Sequence, residues 1–240
     1  MTDNRIVLAT DGEIARVSID RPEDGNLMSA AMIAELTRLL NGAGRDPALK
    51  AIVLTGAGDD FCLGREPGAG GSGRTALEMR EGLTSPILGL YAAVRGAEIP
   101  VVASVQGQAA GFGCATAAVC DITVAADDAT FNLPEMTHDL PPTLAMCAHI
   151  DRTMPKAIAW LVYSTGTVDA ETARTLGFVS NVVPADSLRD ETESLLAALT
   201  SRRRDALITC KQFLANARLM ETDKAADYAG NLLSVILSSR

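Results

Sequence analysis

Apolar runs of strand length alternate with patterns of helical period through the front half of this chain, and this alternation constrains its fold more than any other feature. RIVLAT (5–10) and EIARVSID (13–20) read as two short strands, with Asp11-Gly12 as the hairpin turn between them. A helix is expected from about Ser29 to Leu40. Ser29 is placed to cap it, and Met32, Ile33, Leu36, Leu39 and Leu40 recur at the spacing that buries one face. The apolar strand KAIVLTG follows. VVASVQG (Val101–Gly107) then reads as a buried strand, GFGCATAAVC as a helix of small residues, and DITVAA from Asp121 as another strand. The pattern assigns the chain to the α/β class.

From about Pro141 onward the period is helical, apart from SNVVP at Ser180–Pro184. No Ser/Pro-rich linker separates front from rear, so the helical part is expected to pack on this core or on that of a neighbouring subunit. PGAGGSGR (Pro67–Arg74) resists regular structure and reads as a mobile loop. No Gly-Lys-Ser/Thr follows it, so it is not a P-loop.

The 240 residues are 48% hydrophobic, ample for a buried core. A net charge of −9 argues against a general nucleic-acid binder. The densest positive run, Arg202, Arg203 and Arg204, reads as a solvated helix start. No apolar run approaches the roughly 18–20 residues needed to span a bilayer, and MTDNRIVLATDGE is too polar for a signal peptide. The expectation is a soluble cytoplasmic protein. Cys62, Cys114, Cys120, Cys147 and Cys210 lack CxxC spacing and sit among small or apolar residues, which predicts free thiols, with neither disulfide nor metal site.

Two glycine-containing turns directly follow apolar strands, in AIVLTGAGDDFCLGRE and VVASVQGQAAGFGCATA. Glycine there lets backbone N–H groups face a cavity, and the helix after the second turn adds the positive end of its dipole. Close packing explains such turns equally well when each is taken alone. Together, however, IDRPEDGNLMS, AIVLTGAGDDFCLG, IPVVASVQGQAAGFGCATAAVCDITVAADDATFNLPE and TGTVDAETARTLGFVSNVVP resemble, in order and spacing, the signature segments of the crotonase (enoyl-CoA hydratase/isomerase) superfamily.

The resemblance implies a ββα spiral core over residues 1–184 and a shortened helical C-terminal trimerisation region over 185–240. The assembly would be a homotrimer or a dimer of trimers. The ligand would be an acyl-CoA thioester, with coenzyme A entering as part of the substrate and no permanently bound cofactor. Matched residue by residue, the two oxyanion N–H donors fall on Arg65 and Phe112, and Arg21, Cys62, Gly64, Arg65 and Gly111 are expected to bind the ligand; Lys211, beyond the matched segments, is a candidate phosphate contact. Of the two glutamates that hydratases of the superfamily use, one position is Glu135 and the other is occupied by Ala115.

A single glutamate at the second position resembles the superfamily's Δ3,Δ2-enoyl-CoA isomerases, and one base with two backbone donors suffices to move a proton beside a thioester, so the leading expectation is Δ3,Δ2 double-bond isomerisation. The alternatives are hydration or C–C bond hydrolysis on the same fold. A catalytically silent scaffold subunit is the alternative from another class. His138 and Asp139 stand where apolar and glycine residues are usual and are candidates for an auxiliary base, or for loop capping alone. His149, Cys62 and Cys114 read as packing residues, and Trp160 as core or subunit contact.

Overall fold

The computed structural model describes residues 5–67 and 74–239; most of the glycine-rich segment expected to form a mobile loop therefore lies outside the described residues. Nine strands are present among the described residues: β1 (Ile6–Asp11), β2 (Ile14–Ile19), β3 (Ala51–Gly56), β4 (Val101–Val105), β5 (Gln108–Ala110), β6 (Ile122–Ala126), β7 (Thr130–Asn132), β8 (Val168–Asp169) and β9 (Asn181–Val183). The helices are α1 (Ala30–Ala43), α2 (Ala76–Met79), α3 (Ser85–Gly96), α4 (Phe112–Val119), α5 (Thr143–His149), α6 (Pro155–Ser164), α7 (Ala170–Leu176), α8 (Leu188–Thr200), α9 (Arg204–Asn216) and α10 (Thr222–Ser238).

β1 and β2 form the expected antiparallel hairpin, turning at Gly12 with φ +56°. The main sheet has the order β1-β2-β3-β4-β6-β9, and every pairing after the hairpin is parallel. β2 turns Ala15, Val17 and Ile19 into the core. Its Arg16 projects to the other face, where the guanidinium bonds Glu193 of α8. Central strands covered on both faces explain why β4 is buried throughout and reads as a continuous apolar run. A second, small sheet orders β5-β7-β8, with β5 and β7 parallel.

α1 begins as its sequence dictates: Ser29 Oγ accepts the Met32 N–H at 3.2 Å, and Met32, Ile33, Leu36, Leu39 and Leu40 are all buried. Each such aliphatic side chain contributes about 1.5–3 kcal/mol relative to exposure. α4 is buried on every side, which its small residues permit, because its backbone must pass close to other chain segments. Gly113 shows how close: a Cβ there would lie 2.0 Å from the Cys62 carbonyl oxygen.

The rear is helical as expected, interrupted by β9 within SNVVP and by the two-residue β8. Arg204 bonds Glu98 and the Leu49 carbonyl, and Arg203 bonds Asp205, so of the basic run only Arg202 is exposed and without an ion-pair partner among the described residues. α10 buries none of its residues, and Leu233, Val235 and Leu237 stand 58%, 65% and 51% exposed. Trp160 is 51% exposed, so the core alternative for it is overturned. No helix among the described residues is long and apolar enough to cross a membrane.

Candidate active site

The site is assembled where two loops are stitched to the small sheet and to the start of α4. The loop after β3 is held by two isolated parallel bridges, Cys62 to Ala109 and Met28 to Arg65. In the first, Cys62 N–H donates to Gln108 O and its carbonyl accepts from Ala110 N–H. In the second, Met28 N–H donates to Gly64 O and Glu66 N–H donates to Met28 O. This alternation turns the Arg65 N–H away from Met28, and it bonds no acceptor among the described residues. Gly64 supplies the φ of +122° that the turn needs.

Phe112 is the first residue of α4, so its N–H has no intrahelical acceptor. The preceding N–H, that of Gly111, is spent on Asn132 O at 2.9 Å. Gly111 has φ +51° and ψ −112°, a conformation that favours glycine. The site of a Cβ on Gly64 lies 3.5 Å from Ala110 O, which puts the turn ahead of Arg65 against the turn ahead of Phe112. Two unbonded N–H groups thus come from adjoining turns, one at a helix N-terminus.

Glu135 enters from the 3₁₀ turn Pro134–His138 after β7. Its Oε1 lies 3.0 Å from where a Cβ on Gly111 would sit, and its Oε2 is buried without a hydrogen-bond partner among the described residues. Burial raises the Glu135 carboxyl above its ordinary value. Ala115, on α4, is fully buried and brings no second carboxylate. His138 and Asp139 are exposed at the end of the turn, and Asp139 closes it in the left-handed conformation at φ +56°.

Several residues expected to touch the ligand also build the turns. Arg21 bonds Glu66, Asp24 and the Leu27 carbonyl, so its charge is already neutralised within the protein. Lys211 is a correction: its Nζ is buried, donating to Val94 O and Ile99 O at 3.0 Å and pairing with Asp121 at 2.7 Å. Such an ammonium is not available to a phosphate. Cys62 is buried, its thiol facing Gly64 O at 3.4 Å and pushed up to about 12 by burial. Gly64 and Gly111 contribute backbone conformation.

Asn26, which the sequence did not single out, holds the turn from within: its amide donates to Ala57 O and Asp60 O, and its oxygen accepts from Arg21 N–H. Tyr91 of α3 was also missed. It is buried, lies stacked over Phe112 with ring centroids 6.4 Å apart, and its hydroxyl bonds none of the described residues. Burial, reinforced by the charge of Glu135, raises the Tyr91 hydroxyl far above its ordinary value. The fold also brings His149 Nε2 to 3.7 Å from Cys114 Sγ, a neighbour that the sequence around Cys114 does not reveal. Burial raises that thiol and lowers the imidazole to about 4, so the pair stays neutral and packs, with His149 Nδ1 2.9 Å from Thr153 Oγ1.

A family model described as enoyl-CoA hydratase/isomerase matches residues 9–236. The chain belongs to the enoyl-CoA hydratase/isomerase family. A probable enoyl-CoA hydratase of Rhizobium meliloti is 31% identical over 192 residues, covering 80% of this chain and 73% of that protein. An enoyl-CoA hydratase of Mycobacterium smegmatis matches with a TM-score of 0.91 at 25% identity, over 97% of this chain and 91% of that one. A putative enoyl-CoA hydratase of Thermobifida fusca, solved in complex with CoA, matches in fold with a TM-score of 0.89 at 24% identity, over 98% of this chain and 93% of that one. The crotonase-like α/β fold expected from the signature segments is therefore the fold of this family member.

Proposed function

We propose that this family member moves a proton next to the carbonyl of an acyl-CoA thioester, isomerising a Δ3 double bond to Δ2 with Glu135 as the only carboxylate base. The Arg65 and Phe112 N–H groups would donate to the thioester oxygen and stabilise the enolate as its charge develops, Phe112 with the help of the α4 dipole. Glu135 then takes the C2 proton and returns it at C4. The observation that carries the reading is the Glu135 carboxylate itself: half-buried, with a shielded Oε2 that bonds none of the described residues, and set against Gly111, with Ala115 where a second carboxylate would be needed. An unpaired carboxylate in such surroundings costs stability, and its raised pKa makes it a better proton acceptor once ionised.

Hydration is the second reading, favoured by the name of the Rhizobium relative; Glu135 would there activate water. Product analysis separates the two. Incubation with a short 3-enoyl-CoA is expected to give the conjugated 2-enoyl isomer at unchanged mass. Gain of a water mass from 2-enoyl-CoA, dependent on Glu135, would replace isomerisation by hydration. No turnover of either leaves C–C bond hydrolysis or a scaffold role.

The family member is further proposed to work as a homotrimer or dimer of trimers in the cytoplasm. The unpartnered apolar residues of α10 support the assembly, and five free cysteines suit a reducing compartment. Sedimentation of the protein as a monomer would contradict the assembly.

A further inference from the structure

Arg65 stands apart from the other arginines. Arg5, Arg16, Arg21, Arg95, Arg152 and Arg204 are likewise half-buried, and each faces a carboxylate. The Arg65 guanidinium has no carboxylate or carbonyl partner among the described residues, and its Nε is buried without any hydrogen bond. The acidic residue next to it in sequence, Glu66, is taken by Arg21. The adjoining stretch outside the description, 68–73, contains no acidic residue. Glu135 forms no ion pair with it among the described residues, and the Glu135 Oε2 is itself unbonded there.

Partly burying a guanidinium without a counter-charge carries a desolvation cost, which a ligand of opposite charge would offset. Burial here lowers the Arg65 pKa, and its titratable neighbour is Tyr91, whose hydroxyl burial keeps protonated. Tyr91 packs on Phe112, and the turn that carries Arg65 lies against the turn ahead of Phe112, so both residues border the same site. The Tyr91 hydroxyl is a second donor without a partner among the described residues.

We infer that the acyl group of the substrate ends in a carboxylate, bound by the Arg65 guanidinium with the Tyr91 hydroxyl beside it, so that the substrate is the monothioester of a short dicarboxylic acid. This rests on the thioester reading above. One residue then holds both ends of the acyl group, the thioester oxygen through its N–H and the distal carboxylate through its side chain. The acyl chain can therefore be no longer than an extended arginine side chain reaches. The nucleotide phosphates of coenzyme A are not the missing partner, because a whole pantetheine arm separates them from the thioester. A planar guanidinium matches a carboxylate bidentately, which explains arginine in place of lysine.

The test is binding of two saturated thioesters, glutaryl-CoA and pentanoyl-CoA, by calorimetry on the intact protein, which needs no turnover. The wild type is expected to bind glutaryl-CoA about 10- to 100-fold more tightly. Arg65→Met, checked for its fold by circular dichroism, is expected to bring that ratio to about one, and Tyr91→Phe to reduce it in part. Equal affinities in the wild type, or a ratio that survives Arg65→Met, would overturn the inference and leave the thioester reading standing. Binding of neither thioester would overturn both.

Discussion

The Glu135 carboxylate stands against Gly111, its Oε1 only 3.0 Å from the point where a Cβ would project. The same glycine turns the backbone, at φ +51° and ψ −112°, so that the next N–H, that of Phe112, heads α4. The proposed base and the proposed donor are thus both set by one residue without a side chain. Gly111→Ala is expected to push Glu135 aside and strain the turn, lowering kcat/KM for the proposed reaction by at least about 100-fold, on the scale of losing one oriented donor. Steady-state kinetics beside a thermal melt checks this; an active Gly111→Ala enzyme would separate Glu135 from the chemistry.

Activity should fall in acid because Glu135 must be ionised to accept a proton. Burial raises its pKa, so the acid limb of the kcat/KM profile is expected above the ordinary carboxylate range, with the rate rising through it to a plateau. Glu135→Asp changes the reach and burial of that carboxylate and should move the limb. A limb that stays in place in this variant would assign it to another group.

His149 carries a separate pH dependence, of stability. Its folded-state value is lowered to about 4 from 6.5 by burial against Phe178 and Cys114. A depressed folded pKa gives stability that is whole above 6.5 and is lost as pH falls towards 4, because the unfolded chain takes up the proton first. The loss is on the order of 3 kcal/mol across that window. Chemical denaturation at a series of pH values is expected to show it in the wild type and to lack this component in His149→Gln, whatever that variant's stability at neutral pH.

The sequence disclosed whatever is local. Ser29 caps α1 because acceptor and donor lie three residues apart, and the buried face of that helix follows from spacing alone. β5, β7 and β8 have three, three and two residues, too few to carry a period, and they exist through pairing with distant chain. Both bridges that orient the Arg65 loop are long-range in the same sense. Lys211 looked available because Val94, Ile99 and Asp121, which enclose it, are remote in sequence. The isolation of the Arg65 guanidinium could not be read either, since it depends on Glu66 turning to Arg21.

The central claim is that an enolate forms between the Arg65 and Phe112 N–H groups with Glu135 as the base. Mass spectrometry of 3-enoyl-CoA and 2-enoyl-CoA thioesters incubated with the protein in deuterated water tests it most directly, with Glu135→Gln alongside. The account predicts double-bond migration with deuterium at C4 of the 2-enoyl product, or at C2 through exchange or the reverse reaction, and a loss of several orders of magnitude in Glu135→Gln, whose amide cannot accept the proton. Incorporation that proceeds equally well in Glu135→Gln would contradict it.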